Sequence, residues 1–265
     1  MSIRKLFKKN NPVIEPFKTL DYKVYYIGLP KTGSSSIYAM LSKLGSNHEF
    51  LFGESINTIW MRSAENLSDA AWKSFIASRD KASELRPDIS TFNHYFIPEL
   101  SVNKQNVKYI YCFRDVQSWI NSFVNFIAYQ LSAVPSEIWH DMYVDLLFEK
   151  SILKPEFMDI EKVREKAALF MPVLINYWII QNHKILDFIA CNDALLLSTR
   201  DISTSGTKLA RFLDVDAAMI DSKRMHENKG PNKTDWVKDH SLIFDSYRSR
   251  IKEIENKFEF LAGKN

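Results

Sequence analysis

Tyr26-Ile-Gly-Leu-Pro-Lys-Thr-Gly-Ser-Ser-Ser-Ile37 decides the fold, because a glycine turn here separates a strand pattern from a helix pattern. Upstream, Tyr22-Lys-Val-Tyr-Tyr-Ile-Gly-Leu29 is rich in β-branched and aromatic residues, the composition of a buried strand. Downstream, Ile37, Met40, Leu41 and Leu44 recur on one face of a helix, and Gly45 is placed as its C′ residue. A Walker A loop reads G-x-x-x-x-G-K-[ST]. Gly28 and Gly33 have that separation, but Ser34 stands at the lysine position, and the lysine is Lys31, ahead of the second glycine. Backbone N–H groups at a helix N-terminus attract anions, so the loop is still suited to a 5′-phosphate. It lacks the usual means of holding a β,γ-diphosphate with Mg²⁺, which points to a different phosphate donor. Taken alone, the stretch also fits an ordinary βα turn with a serine N-cap.

The chain has 265 residues, 46% of them hydrophobic and 13% aromatic, enough to bury a sizeable core. Its net charge of +3 implies no broad nucleic-acid surface, so any positive field must be local. Cys112 and Cys191 lie in apolar segments and are expected to be core thiols, as in a reducing compartment, not a disulfide framework or zinc site. No apolar run approaches the roughly 18 residues of a membrane span. The basic start, residues 2–12, lacks the hydrophobic core of a signal peptide. A cytoplasmic protein is therefore expected. At most Leu6, Phe7 and the neighbouring lysines touch an anionic membrane peripherally, and a frayed solvated terminus fits them better.

No internal repeat or low-complexity linker is present, so the organisation expected is a tail over 1–20 and one domain over 21–265. Core strands are expected ahead of Gly28, over 106–113 and over 193–198, with a weaker one over 90–93. Helices are expected over 55–65, 68–86, 115–132, 158–169, 172–190, 205–213 and 238–261, with Pro172 in the first turn of its helix. Strands alternating with helices predict an α/β fold: a central, mostly parallel sheet flanked by helices in a three-layer P-loop architecture. Residues 133–157 are irregular. Their Trp139, Tyr143 and Phe148, with Tyr95 and Phe96, fit either sugar stacking or plain packing.

Three further places carry chemistry. Arg114 is expected at the carboxyl end of the second core strand, where ligands bind in open α/β sheets, with Asp115 capping the next helix. Ser118 and Ser122 share one face of that helix, so Arg114 with a helix-borne hydroxyl makes an anion clamp. A surface arginine with two solvated serines is the competing reading. His94 follows the weak strand and is a candidate base or a structural histidine. His226-Glu-Asn-Lys-Gly-Pro-Asn-Lys-Thr-Asp-Trp236 carries Lys229, Gly230 and Lys233, and reads as a loop able to close over an anion or as a polar connector. No metal-ligand cluster is evident.

Together these pieces resemble the sulfotransferases that use 3′-phosphoadenosine 5′-phosphosulfate (PAPS). Pro30-Lys-Thr-Gly-Ser-Ser35 is similar to that family's 5′-phosphosulfate loop, and Arg114 with Ser122 to its 3′-phosphate motif. His94 falls where cytosolic members carry a catalytic histidine. Lys229-Gly230 resembles the nucleotide-covering loop, and Leu197-Ser-Thr-Arg-Asp-Ile202 the unit after the third core strand. The resemblance spans about residues 22–236 in matching order. It implies that Lys31, Thr32, Gly33, Ser34 and Ser35 hold the 5′-phosphate end of PAPS. Arg114, Ser118, Ser122, Lys229 and Gly230 would then hold the nucleotide, and His94 and Lys31 would perform catalysis. The product would be 3′-phosphoadenosine 5′-phosphate (PAP), and no metal would be required. Ser36 replaces the tryptophan that stacks on adenine in cytosolic members, and Thr199 and Asn228 replace an aromatic and an arginine. These departures lean toward the bacterial and Golgi-type enzymes that sulfate sugars, with a glycan or glycolipid hydroxyl as acceptor. A P-loop small-molecule kinase and an inert nucleotide-binding module remain the alternatives. Nothing in the sequence sets the oligomeric state.

Overall fold

The computed structural model describes residues 20–100, 106–126, 160–222 and 234–264. Five strands form one sheet: β1 (Lys23–Tyr26), β2 (Asn47–His48), β3 (Asp88–Ile89), β4 (Val107–Phe113) and β5 (Ala194–Ser198), in the order β2-β3-β1-β4-β5. Every pairing is parallel. The register runs from Lys23 opposite Val107 to Tyr26 opposite Ile110, and from Tyr109 opposite Ala194 to Phe113 opposite Ser198.

Parallel strands are joined by crossovers that place helices on both faces, so both faces of the sheet are buried. Alternation along each strand divides the core in two. Tyr25, Ile27, Tyr109, Tyr111, Phe113 and Leu196 point to one layer, and Val24, Tyr26, Ile110, Cys112, Leu195 and Leu197 to the other. The first layer is covered by α2 (Phe52–Ser63), α3 (Asp69–Ser83), α5 (Val116–Asn125), α7 (Ala167–Ile189) and α9 (Ser241–Ala262). The second is covered by α1 (Ser34–Met40) and α8 (Gly206–Phe212). Two short helices, α4 (Ile97–Leu100) and α6 (Ile160–Glu165), complete the set among the described residues.

The expected three-layer α/β architecture is what the chain adopts, and its sheet is wholly parallel. Four details differ from expectation. The weak strand lies at Asp88–Ile89, and residues 90–95 turn instead, with Asn93 and Tyr95 N–H bonded to the Ser90 and Phe92 carbonyls. Those backbone groups are spent locally and are lost to a ladder. The helix after Gly33 tightens at Leu41 into a 3₁₀ turn over Ser42–Leu44, which Gly45 closes with φ 68°. Pro172 sits in the interior of α7, not in its first turn, because the helix begins five residues earlier, where Ala167, Phe170 and Met171 are buried. There it forgoes one i→i−4 hydrogen bond. Cys112 is buried as expected, whereas Cys191 is exposed, since it follows the end of α7 at the surface.

Gly33 has φ 105°, and a Cβ placed on it would lie 2.3 Å from Ile202 Cδ1. Gly33→Ala should therefore destabilise the protein by about 1–3 kcal/mol in urea unfolding. Ile202→Val removes the clashing atom and should recover part of that loss in the double variant.

Candidate active site

All five strands end on the same edge, and the four segments that the sequence singles out and the structure describes follow β1, β3, β4 and β5 there. After β1, Lys31 adopts φ 64° and Gly33 φ 105°. Two left-handed residues so close together turn the chain sharply into α1. The Gly33 carbonyl accepts from Ser36 and Ile37 N–H, which leaves the Gly33, Ser34 and Ser35 N–H groups at the helix mouth without i−4 partners. Thr32 has a different place from the one read in the sequence. Its N–H and its hydroxyl both donate to the Leu29 carbonyl, at 3.3 and 2.5 Å, and Tyr26 Oη donates to its hydroxyl at 2.7 Å. Its side chain staples the loop from within. Gly28 is required for this staple, because a Cβ there would meet Tyr26 Oη at 2.5 Å and Thr32 Oγ1 at 2.7 Å. Lys31 Nζ lies 4.4 Å from the centre of the Phe126 ring, at the end of α5.

After β4, Asp115 caps α5 through a 2.9 Å bond from Ser118 N–H and pairs through its other oxygen with Arg200 at 3.0 Å. Arg114 reaches across to the first loop, where its Nη1 donates to the Lys31 carbonyl at 3.0 Å. Beside it, the buried Trp119 indole donates to the Pro30 carbonyl at 2.8 Å. The Arg114 carbonyl is held in turn by Trp178 Nε1 at 3.1 Å. Ser118 and Ser122 are half-buried on α5. Asn121 and Asn125 of the same helix bind Thr234–Trp236, with Trp236 N–H to Asn121 Oδ1 at 2.8 Å and Thr234 N–H to Asn125 Oδ1 at 3.1 Å. The chain just after the late loop is thus anchored beside the two serines. Lys229 and Gly230, and Trp139, Tyr143 and Phe148, lie outside the described residues.

After β3, His94 is buried. Its Nδ1 lies 2.6 Å from the Thr91 carbonyl and its Nε2 3.0 Å from Tyr177 Oη, while Tyr95 Oη is 3.1 Å from Tyr177 Oη. Burial drives the His94 pKa down to about 3. Thr91 also donates its N–H and hydroxyl to Glu49, at 3.2 and 3.0 Å, and desolvation lifts that carboxyl to about 7. Beneath them Arg79, fully buried, donates to Asp88, Ser90, Asn93 and the Phe50 carbonyl. Tyr177 stacks on Trp119 with ring centres 6.0 Å apart. The histidine and the phosphate-loop segments therefore share one aromatic wall.

Residues 23–219 match the family model for the sulfotransferase domain, about three quarters of the chain. The chain belongs to the sulfotransferase family. It is similar to the sulfotransferase domain from the curacin biosynthetic pathway at 13% identity, covering 91% of this chain and 99% of that one, with a TM-score of 0.46. The sulfotransferase from Alicyclobacillus acidocaldarius shows 12% identity, 88% and 95% coverage and a TM-score of 0.45. The sulfotransferase domain of the Synechococcus PCC 7002 olefin synthase shows 15% identity, 92% and 98% coverage and a TM-score of 0.43. No curated protein matches the chain significantly.

Sulfuryl transfer requires that a leaving oxygen gain negative charge and that an acceptor hydroxyl lose its proton. On this sulfotransferase, Arg114 meets the loop that carries Lys31 and leads into α1, and burial keeps the His94 imidazole neutral. Sequence reasoning missed Trp119, Trp178 and Tyr177 as site components, because each falls on an apolar helical face and reads as core. It also missed Glu49 and Arg79, which only the approach of residues 49–50 and α3 to the turn after β3 brings into play. Among the described residues no group of carboxylates, histidines or cysteines is arranged to hold a metal, and no helix is long and apolar enough to cross a membrane.

The buried histidine has a pH signature. Unfolded, it takes up a proton near 6.5; folded, only near 3. The unfolded state therefore binds more protons between these values. The contribution of neutral His94 is complete above about 6.5 and is lost as pH falls toward about 3. Glu49 has the opposite sign, its contribution being lost as pH rises from 4.5 through about 7. Equilibrium unfolding of His94→Gln across pH 4–7 should show a flatter acid limb than wild type, and Glu49→Gln a steeper rise with pH.

Proposed function

We propose that this sulfotransferase moves the sulfuryl group of PAPS to a hydroxyl acceptor, by in-line attack at sulfur. The observation that carries this reading is the 3.0 Å bond from Arg114 to the Lys31 carbonyl. It ties the loop read as the 5′-phosphate cradle to the arginine read as the 3′-phosphate clamp, the pairing that a donor with phosphates at both its 3′ and 5′ ends would need. The N–H groups of Gly33, Ser34 and Ser35 receive the 5′-phosphate, while Thr32 shapes the loop. Lys31 neutralises the bridging oxygen as the S–O bond breaks, so its effect is greatest in the transition state. Arg114, Ser118 and Ser122 receive the 3′-phosphate, with Lys229 and Gly230 closing over the nucleotide. His94 is the base that finally holds the acceptor proton. Residues 21–265 act as one domain in the cytoplasm, and the tail over 1–20 makes at most peripheral membrane contact. A glycan or glycolipid hydroxyl is the acceptor class favoured by Ser36 and Thr199, which depart from the phenol- and steroid-sulfating pattern.

A thermal-shift comparison separates donor classes. PAP at 100 times its Kd should stabilise the protein by about 2.7 kcal/mol, on the order of 5–10 °C. ATP–Mg²⁺ and GTP–Mg²⁺ should give no comparable shift, and a response to ATP–Mg²⁺ alone would favour a kinase. Arg114→Ala should weaken PAP binding by roughly 10- to 150-fold in calorimetry. His94→Ala should keep PAP affinity and lower sulfate transfer by on the order of 10²–10⁴.

A further inference from the structure

The hydrogen bonds around His94 have one consistent direction. The Thr91 carbonyl can only accept, so at 2.6 Å His94 Nδ1 must carry the proton. In a neutral imidazole Nε2 is then a bare lone pair, and the partner 3.0 Å away, Tyr177 Oη, must donate to it. Tyr177 has one hydroxyl proton, now committed. The 3.1 Å contact between the two tyrosines therefore runs from Tyr95 Oη–H to Tyr177 Oη. The chain reads Tyr95 to Tyr177 to His94 Nε2.

This order has a consequence for access. His94 is only 5% exposed, and its one basic atom is covered by the Tyr177 hydroxyl. Tyr177 itself is half-buried and stacks on Trp119, whose indole is bonded to Pro30, next to Lys31. Tyr177 therefore links the imidazole, through its hydroxyl, to the tryptophan that anchors the loop, through its ring. For a proton to reach Nε2 along this chain, the incoming hydroxyl must donate to the second lone pair of Tyr177 Oη, the first being held by Tyr95.

We infer that Tyr177 is a catalytic residue: its oxygen takes the acceptor proton while it passes its own proton to His94. The inference rests on the sulfuryl-transfer reading and on His94 as the terminal base. As the acceptor O–S bond forms, the acceptor O–H breaks and its proton moves to Tyr177 Oη. The Tyr177 O–H breaks in turn, and that proton binds His94 Nε2. The bridging S–O bond breaks, and its electron pair leaves on the phosphate oxygen of PAP. Tyr177 ends neutral and His94 ends as imidazolium. The proton returns to solvent along the same path once the sulfated product has left. Tyr95 steadies the tyrosine oxygen by donating to it while negative charge passes through. Deep burial keeps the His94 lone pair unprotonated in the resting protein across physiological pH.

The test compares wild type, Tyr177→Phe, Tyr95→Phe and His94→Gln. PAP affinity is measured by calorimetry. Sulfate release is measured from radiolabelled PAPS with water alone and with p-nitrophenol or methyl β-galactoside added, in H₂O–D₂O mixtures. Phenylalanine keeps the ring against Trp119, and an unchanged PAP affinity certifies each variant's fold. Tyr177→Phe is expected to lose on the order of 10²-fold or more in turnover with PAP affinity unchanged, and Tyr95→Phe about 3- to 10-fold. The wild-type proton inventory should be curved, as two moving protons require, and that of Tyr177→Phe linear. Wild-type turnover in Tyr177→Phe beside an impaired His94→Gln would overturn the relay and leave His94 acting directly. Full turnover in both variants would overturn the base assignment itself. A linear wild-type inventory would also overturn the relay, because a purely structural Tyr177 moves no proton.

Discussion

The carbonyl oxygens of Pro30 and Lys31 are the anchor on which the site depends. Trp119 donates to the first and Arg114 to the second. A loop with left-handed residues at 31 and 33 turns these carbonyls out of any helical pattern, so they need donors from elsewhere. In a trans peptide the C=O and the following N–H point in opposite directions, so holding the Pro30 carbonyl also fixes the direction of the Lys31 N–H. The donors come from the segment after β4, which the parallel pairing of β1 with β4 delivers to the same edge. Sheet register, loop shape and arginine position are thus one constraint.

The turn after β3 is built on a second support. Arg79 is buried against Asp88 and also bonds Ser90, Asn93 and the Phe50 carbonyl, so its guanidinium is widely satisfied where an unpaired charge would be costly. That network holds the backbone from 88 to 95 and hence the direction of His94. Thr91 links the two titratable groups, bonding Glu49 through its N–H and hydroxyl and His94 through its carbonyl. The same burial that raises the acid lowers the base, so both favour their neutral forms. The Trp119–Tyr177 stack joins this support to the phosphate-loop anchor.

Much of this was legible in the chain itself. The strand–glycine–helix pattern around Gly28 and Gly33 is local, and so are the long strands 107–113 and 194–198, whose side chains sample both buried faces. Asp115 reads correctly as a cap because capping depends on neighbours three residues away. The two-residue strand β2 was hidden and β3 was read two residues late, since periodicity needs more residues than they contain. Thr32 was misplaced because the motif shows its type but not that its hydroxyl turns inward to Leu29. Tyr177 and Trp119 were hidden for a related reason: on an amphipathic helix an aromatic with a polar tip looks like packing until its partner is known.

By itself the sequence determined the family, the alternation of strands and helices, and the residue types offered at the strand ends. These follow from short-range patterns and from motifs whose spacing is set along one chain segment. Only the tertiary structure decided which groups meet. Arg114 is 83 residues from Lys31, and His94 is 83 residues from Tyr177. Contacts at such separations arise from crossovers that return parallel strands to a common edge, and neither partner carries a local sign of the other. The direction of the Tyr95–Tyr177–His94 chain lies at the same level, because it follows from a carbonyl that can only accept.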